Sequence, residues 1–145
     1  MPILQLFVVF VLAVSPVLAQ DEPGLERRVA RAAFTTGIVS REPKDRVLVL
    51  TPPAREIYFF TDLRNLKGHT VTHRWQFEGE VMSSVDFKVE GDRWRVYSRK
   101  SLPPGAFGEW SVTVLDDTGW PLHVELFRYL PGGETQYSTV VVPLE

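Results

Sequence analysis

The chain has 145 residues, a length that fits a single domain with an ordinary hydrophobic core. Its 16 basic and 18 acidic residues nearly balance, and no stretch concentrates Lys and Arg, so we expect no nucleic-acid partner. Cysteine is absent, which excludes disulfides, a lipid attached through a cysteine and a cysteine nucleophile.

The first 19 residues have the pattern of a secretory signal peptide. An apolar run from Ile3 to Val14 contains no charged side chain, and Val17 and Ala19 precede a polar segment. The run is short for a membrane span, which needs about 20 apolar residues. We therefore expect cleavage after Ala19 and a periplasmic or secreted bacterial protein, with a retained membrane anchor as the alternative.

The next segment, residues 20–29, is polar and is interpreted as a linker, and residues 30–145 as a single domain. In that domain the hydrophobic pattern has a period of two, which is typical of β-strands. Residues that favour turns separate the strand-like segments at nearly regular intervals. The sequence predicts an antiparallel, immunoglobulin-like β-sandwich of eight or nine short strands, with a barrel as the less favoured alternative.

The first of these segments, residues 31–39, has Gly37 at an expected bend, and residues 41–46 form a turn. Further along the chain, Glu78-Gly79 is expected to make a tight hairpin. The adjacent carboxylates of Asp116 and Asp117 begin another hairpin turn, which Gly119 ends. Two acids that hydrolyse a sugar stand about 5–9 Å apart across a cleft, so we interpret this pair as turn residues.

His69 and His73 are four residues apart, a spacing that places two imidazoles on one metal ion when the segment is helical. Here the surrounding residues are β-branched and aromatic, which favours a strand, and four strand residues span about 13 Å. Two zinc ligands must each approach the ion to about 2 Å. We therefore predict no metal and no cofactor, and a partly buried His73 in a satisfied environment; an approach by His123 from another strand stays open.

A catalytic site of the Ser-His-acid type has candidate parts in Ser83, Ser98, His73 and His123. The sequence contains no G-x-S-x-G nucleophile elbow. Such a site would require His73 or His123 to lie within hydrogen-bond reach of a serine or an acid in a cleft. We expect no enzymatic activity, with a small periplasmic hydrolase as the alternative.

Large aromatic and charged side chains supply the binding candidates. Trp75 and Trp110 are expected in the core, whereas Trp94 and Trp120 are expected to be partly exposed. Asp62 and Arg64 are interpreted as a solvated strand end with an internal Asp–Arg ion pair or, alternatively, as a polar binding rim. Alternation along one strand turns Arg93, Arg95 and Tyr97 outward, where basic residues could meet an anionic ligand or simply form a soluble face or protect an edge strand. The six binding candidates are Trp94, Arg95, Tyr97, Asp62, Arg64 and Trp120.

Four segments of the sequence, taken in order, resemble one protein family. They are "FTTGIVSREPKDRV", "YFFTDLRNLKGHTVTHRWQFEGEVM", "FKVEGDRWRVYSRKSL" and "GEWSVTVLDDTGWPL". The chain resembles, over Ala33 to Tyr129, the bacterial envelope family known as domain of unknown function 2914. The resemblance implies an all-β domain that is often exported, and it brings no catalytic residues. We expect a non-catalytic binding module whose ligand is an envelope protein or a carbohydrate; a purely structural or assembly subunit is a further alternative.

Overall fold

A computed structural model describes residues 26–132 and 138–144 of the chain. The expected signal peptide, residues 1–19, lies outside the described residues, as do residues 20–25 of the expected linker and residues 133–137 and 145. In the part of the chain that is described, no helix is long and apolar enough to cross a membrane.

The described residues form eleven β-strands, arranged in two facing sheets and one short hairpin. The strands are β1 (Arg28–Thr35), β2 (Ile38–Val39), β3 (Glu42–Pro43), β4 (Arg46–Leu50), β5 (Glu56–Arg64), β6 (Thr70–Phe77), β7 (Glu80–Lys88), β8 (Arg93–Ser101), β9 (Gly108–Leu115), β10 (Pro121–Tyr129) and β11 (Val140–Val142). The smaller sheet has the strand order β1-β5-β8, and the larger has the order β11-β4-β10-β9-β6-β7. The predicted all-β sandwich is confirmed.

The structure differs from the prediction in the first third of the domain. Strand β1 starts at Arg28, inside the expected linker, and ends at Thr35, so residues 31–39 are not one strand. The carboxylate of Asp45 accepts hydrogen bonds from Thr35 Oγ1 (2.9 Å) and the backbone amide of Thr36 (2.8 Å), which stops the strand there. The chain then forms the β2–β3 hairpin where a simple turn was expected, and this hairpin accounts for two of the additional strands.

The larger sheet is also mixed, because β4 runs parallel to β10. All other pairings between described strands are antiparallel, as predicted.

Aromatic side chains from both sheets fill the space between them. The ring of Phe34 on β1 lies 4.8 Å from that of Phe59 on β5 and 4.7 Å from that of Phe127 on β10, centre to centre. Trp75 and Trp110 are completely buried, which confirms their predicted place in the core. Such ring pairs add about 0.5–1.5 kcal/mol each beyond the burial of their area.

Two tight hairpins fix the register of the larger sheet. Glu78 and Gly79 between β6 and β7 both have positive φ (48° and 79°), the combination that a type I′ turn requires and that glycine adopts without strain. Between β9 and β10, the Asp116 carboxylate accepts 2.9 Å hydrogen bonds from the backbone amides of Thr118 and Trp120. Both turns were predicted from their residues, and Asp116 has the turn role expected of it.

Candidate functional site

Four of the six predicted binding residues lie on one surface, the outer surface of the three-stranded sheet. Asp62 and Arg64 come from β5, and Arg95 and Tyr97 come from β8. The strands pair in register, so that Asp62 stands directly opposite Arg95. Alternation along β8 turns these residues outward, because Val96 and Ser98 point into the core and are buried.

The other two candidates, Trp94 and Trp120, are not part of this surface. Trp94 is half-buried and packs against the hydrophobic core from the inner side of β8. Trp120 is 69 % exposed and follows the hairpin turn between β9 and β10 in the opposite sheet. The predicted partial exposure of both residues is confirmed, but the structure does not bring them to the other four.

The surface contains more arginines than the two, Arg64 and Arg95, among the predicted binding residues. Across the three strands, Arg28 stands opposite Arg64, and Arg64 stands opposite Arg93. In the next row, Arg31 and Arg95 stand on either side of Asp62. We call the outer surface of β1, β5 and β8 the arginine face, defined by its five arginines: Arg28, Arg31, Arg64, Arg93 and Arg95.

Asp62 is buried beneath this face and forms ion pairs with three of its arginines. Its side chain is inaccessible to solvent, and its carboxylate lies 3.0 Å from Arg64 Nε, 3.1 Å from Arg31 Nη2 and 3.5 Å from Arg93 Nη2. Burial acts to raise the pKa of Asp62, but hydrogen bonds from Arg64 and Arg31 outweigh it and hold that pKa below its usual value. The expected Asp–Arg pair is therefore present, but the interpretation of Asp62 as solvated is wrong.

Glu42 is a second carboxylate at this face and was not among the predicted binding residues. It lies on β3, in the hairpin that was expected to be a turn, and it accepts hydrogen bonds from Arg31 (2.8 Å) and Arg95 (2.5 Å). The bond from Arg31 is the main cause that lowers the pKa of Glu42 to about 2, and the same pair raises the pKa of Arg31. Glu42 thus ties the β2–β3 hairpin to the arginine face.

Aromatic rings complete the surface beside the charges. The Arg31 guanidinium lies 5.3 Å from the centre of the Phe60 ring, which is buried but outside the main core. Farther along the sheet, Tyr58 and Tyr97 meet edge to face with ring centres 6.1 Å apart, and half of Tyr97 is exposed. The face therefore offers charged donors and a half-exposed aromatic ring on one sheet.

A groove of about 600 Å³ runs along the outer edge of β1. His123 and Glu125 on β10 are among its lining residues, with His123 Nε2 lying 3.0 Å from Glu125 Oε1. The described residues that line it are Val29, Ala30, Arg31, Ala32, Ala33, Pro43, Arg46, Phe60, His123, Glu125, Val142, Pro143 and Leu144. This set includes an acid and a base but no serine or threonine hydroxyl that could act as a nucleophile.

His69 and His73 have separate environments. His69 precedes β6 and its Nδ1 lies 3.0 Å from an Asp117 carboxylate oxygen. His73 is completely buried between the sheets and hydrogen-bonds to Thr61 (2.9 Å) and Ser98 (2.8 Å), and burial lowers its pKa to about 3. Over residues 26–132 and 138–144, no three His, Asp or Glu side chains come together in a way that could hold a metal ion.

Comparisons with known proteins bear on the second half of the domain. A search of curated proteins finds no match to this chain. Residues 68–129 match the profile of a protein family, and this segment extends from β6 through β10. It contains four of the candidate residues, Trp94, Arg95, Tyr97 and Trp120, whereas Asp62 and Arg64 precede it. The match is to the family described as "Protein of unknown function (DUF2914)", and it supports the resemblance seen in the sequence.

Proposed function

We propose that this chain is a non-catalytic binding module, exported to the bacterial cell envelope, that holds a protein or carbohydrate ligand on the arginine face. One observation carries the proposal. The buried Asp62 carboxylate fixes the guanidinium groups of three arginines, yet the side chains of Arg31, Arg64 and Arg93 remain 43 %, 33 % and 55 % exposed.

This arrangement favours binding because the groups that would contact a ligand are already held in place. Immobilising a long side chain on binding costs about 0.5–1.5 kcal/mol, and a side chain fixed beforehand avoids much of that cost. Arginine and tyrosine are also the residues that most often dominate binding energy at interfaces, with tryptophan. Arg95 and Tyr97 combine both types on one strand.

Export is supported by the amino-terminal sequence. The uncharged apolar run from Ile3 to Val14, followed by Ala19, is typical of a cleavable signal. Because the chain has no cysteine, packing rather than disulfides must stabilise the domain. The aromatic core between the sheets provides that packing. Binding in the periplasm or at the cell surface is consistent with both features.

A photo-crosslinking experiment tests the proposal. A photoreactive phenylalanine analogue replaces Tyr97 on the arginine face or, as the matched control, Ser84, which is exposed on β7 of the other sheet. Each protein is produced in the bacterium that encodes it, illuminated in intact cells, and analysed by mass spectrometry. We expect a discrete crosslinked product from position 97 and none from position 84. Equal products from both positions, or none from either, would contradict the proposal.

A small hydrolase is the second candidate, and the His123–Glu125 pair in the groove favours it. The other histidine considered for catalysis, His73, is enclosed in the core with Ser98, where no substrate can reach it. A hydrolase would therefore have to use His123 to activate water. Loss of a hydrolytic activity toward envelope material in His123→Ala, with the activity retained in His69→Ala, would favour this candidate over the binding module.

A further inference from the structure

We infer that the ligand of the arginine face is an anionic carbohydrate, a polymer that carries carboxylate, phosphate or sulfate groups. The inference rests on the proposed binding function and gives its ligand a chemical class. It starts from the cross-strand row of Arg28, Arg64 and Arg93. Because neighbouring strands lie about 4.8 Å apart, the row extends roughly 10 Å across the sheet.

The row is not explained by the stability of the sheet. Like charges that stand directly opposite each other destabilise paired strands. Asp62 compensates for Arg64 and, at 3.5 Å, for Arg93, whereas Arg28 makes no ion pair with any described residue. The nearest acidic residues along the chain, Glu26 and Asp92, are exposed, and neither forms an ion pair with the row within the described ranges. The row can therefore still bind an anionic group of a ligand.

The charge of this face is opposite to that of the whole chain. The face carries five guanidinium groups and two carboxylates, Asp62 and Glu42, and four of the five arginines pair with these carboxylates. The complete chain, in contrast, has a net charge of −2. A positive surface on an acidic protein attracts anions locally without making the whole molecule bind them. The positive charge is thus concentrated where the proposed ligand binds.

The positive groups are arginines, and this points to oxyanions. The planar guanidinium donates two parallel hydrogen bonds to a carboxylate, phosphate or sulfate group, which the ammonium group of lysine cannot do. Successive strands present these groups at nearly even spacing across the sheet. A ligand with several oxyanions along its length matches such a row better than a single small ion.

The surroundings of the row favour a carbohydrate over a protein. A protein interface has an apolar core surrounded by polar groups, whereas the exposed aliphatic residues Val124 and Leu126 lie on the other sheet. The arginine face instead has the half-exposed ring of Tyr97, four residues or about 13 Å along β8 from Arg93. If the charged groups of a polymer bind the row, the polymer can also place the uncharged face of a sugar against the ring of Tyr97.

The inference is tested by direct binding of defined polymers to the purified full chain. The probes are fluorescently labelled polygalacturonate and dextran sulfate, neutral dextran and polyglutamate. The face variant Arg28→Gln/Arg93→Gln keeps the contacts of Asp62 with Arg31 and Arg64. The control variant Arg55→Gln/Arg128→Gln loses the same charge at two exposed arginines outside the face. Urea unfolding of both variants confirms that each is folded.

We expect the wild type and the control to bind at least one anionic polysaccharide. The face variant should bind it about tenfold more weakly or worse, because two charge-assisted contacts are lost. Binding should weaken as NaCl rises from about 50 to about 300 mM, and neutral dextran should not bind. Unchanged affinity in the face variant, equal binding of neutral dextran, or a preference for polyglutamate over both polysaccharides would overturn the inference; the last outcome would indicate an acidic protein partner.

Failure of the inference and failure of the proposed function give different results. If position 97 crosslinks to an envelope component but no anionic polymer binds, the binding module stands and the anionic carbohydrate is wrong. If position 97 gives no product and no polymer binds, both are wrong.

Discussion

His73 Nδ1 and Ser98 Oγ lie 2.8 Å apart and join the two sheets of the sandwich through the middle of its core. His73 belongs to β6 of the larger sheet, and Ser98 belongs to β8 of the smaller one. Trp75 Nε1 also donates to Ser98 Oγ at 3.0 Å, and Thr61 Oγ1 lies 2.9 Å from His73 Nε2. A buried polar group is costly unless it is hydrogen-bonded, so this network helps to fix how the two sheets face each other.

The first prediction concerns the pH dependence of stability. Burial lowers the pKa of His73 to about 3 in the folded chain, whereas the unfolded value is about 6.5. The unfolded chain therefore binds the extra proton, and the stability due to His73, present above about pH 6.5, is lost progressively as pH falls toward about 3. Between about pH 7 and pH 5 we expect a loss of about 2 kcal/mol from this residue. Urea unfolding at intermediate pH values measures it.

Two variants separate His73 from the other histidines. His73→Gln should remove this component of the pH dependence, and His69→Gln, which changes a partly exposed position outside the core, should keep it. The same slope in wild type and His73→Gln would show that His73 does not titrate as its burial requires.

The second prediction concerns Ser98. Replacing Ser98 with alanine leaves Trp75 Nε1 and one imidazole nitrogen of His73 without partners inside the core. We expect Ser98→Ala to lower the free energy of unfolding by about 2–3 kcal/mol. Ser84→Ala on exposed β7 is the control and should change it by less than about 0.5 kcal/mol. Equal effects of the two substitutions in urea unfolding would show that the network adds nothing to stability.

The third prediction concerns the buried carboxylate beneath the arginine face. Asp62→Asn removes the charge that three arginines surround, and we expect it to lower the free energy of unfolding by about 2–4 kcal/mol. The pKa of Asp62 is lowered in the folded chain, so its stabilisation is present above about pH 4 and is lost as pH falls through the folded pKa. Asp86→Asn, at an exposed position on β7, is the control. A cost no larger than that of the control would contradict the role of Asp62.

The fourth prediction concerns Trp120, a binding candidate that the structure separates from the others. Its side chain is largely exposed and follows a turn that the backbone and Asp116 hold together. We expect Trp120→Ala to change stability by less than about 0.5 kcal/mol. Crosslinking from position 97 should also be unchanged. A loss of the crosslinked product in this variant would move the binding surface to the other sheet.

The sequence was sufficient to predict local structure. Alternation along β8 predicted that Arg95 and Tyr97 face outward, and the composition of the turns predicted the hairpins at Gly79 and Gly119. Both follow from contacts between residues close together in the chain. The same local pattern predicted a strand that keeps His73 apart from His69 and a partly buried, satisfied His73. His73 is satisfied as predicted, but it is completely buried rather than partly buried.

The arginine face could not be predicted in the same way. Arg28, Arg64 and Arg93 are far apart in the chain and come together only through the registers of β1 with β5 and of β5 with β8. Asp62 was expected to be solvated because the polar residues Arg64 and Asn65 follow it at the end of a strand. Only the pairing of three strands surrounds it with guanidinium groups. The contact of Glu42 with this face could not be predicted for a similar reason, because the β2–β3 hairpin meets Arg95 on β8, a strand that comes later in the chain.

The central claim is that the arginine face is the binding surface, and amide chemical shifts test it most directly. Proton–nitrogen correlation spectra of the isotope-labelled protein are recorded while polysaccharide extracted from the native envelope is added. We expect the shifts to change for amides of β1, β5 and β8, including those of Arg64, Arg93 and Tyr97, while those of β7 and the β9–β10 turn stay constant. Changes confined to the six-stranded sheet would contradict the claim.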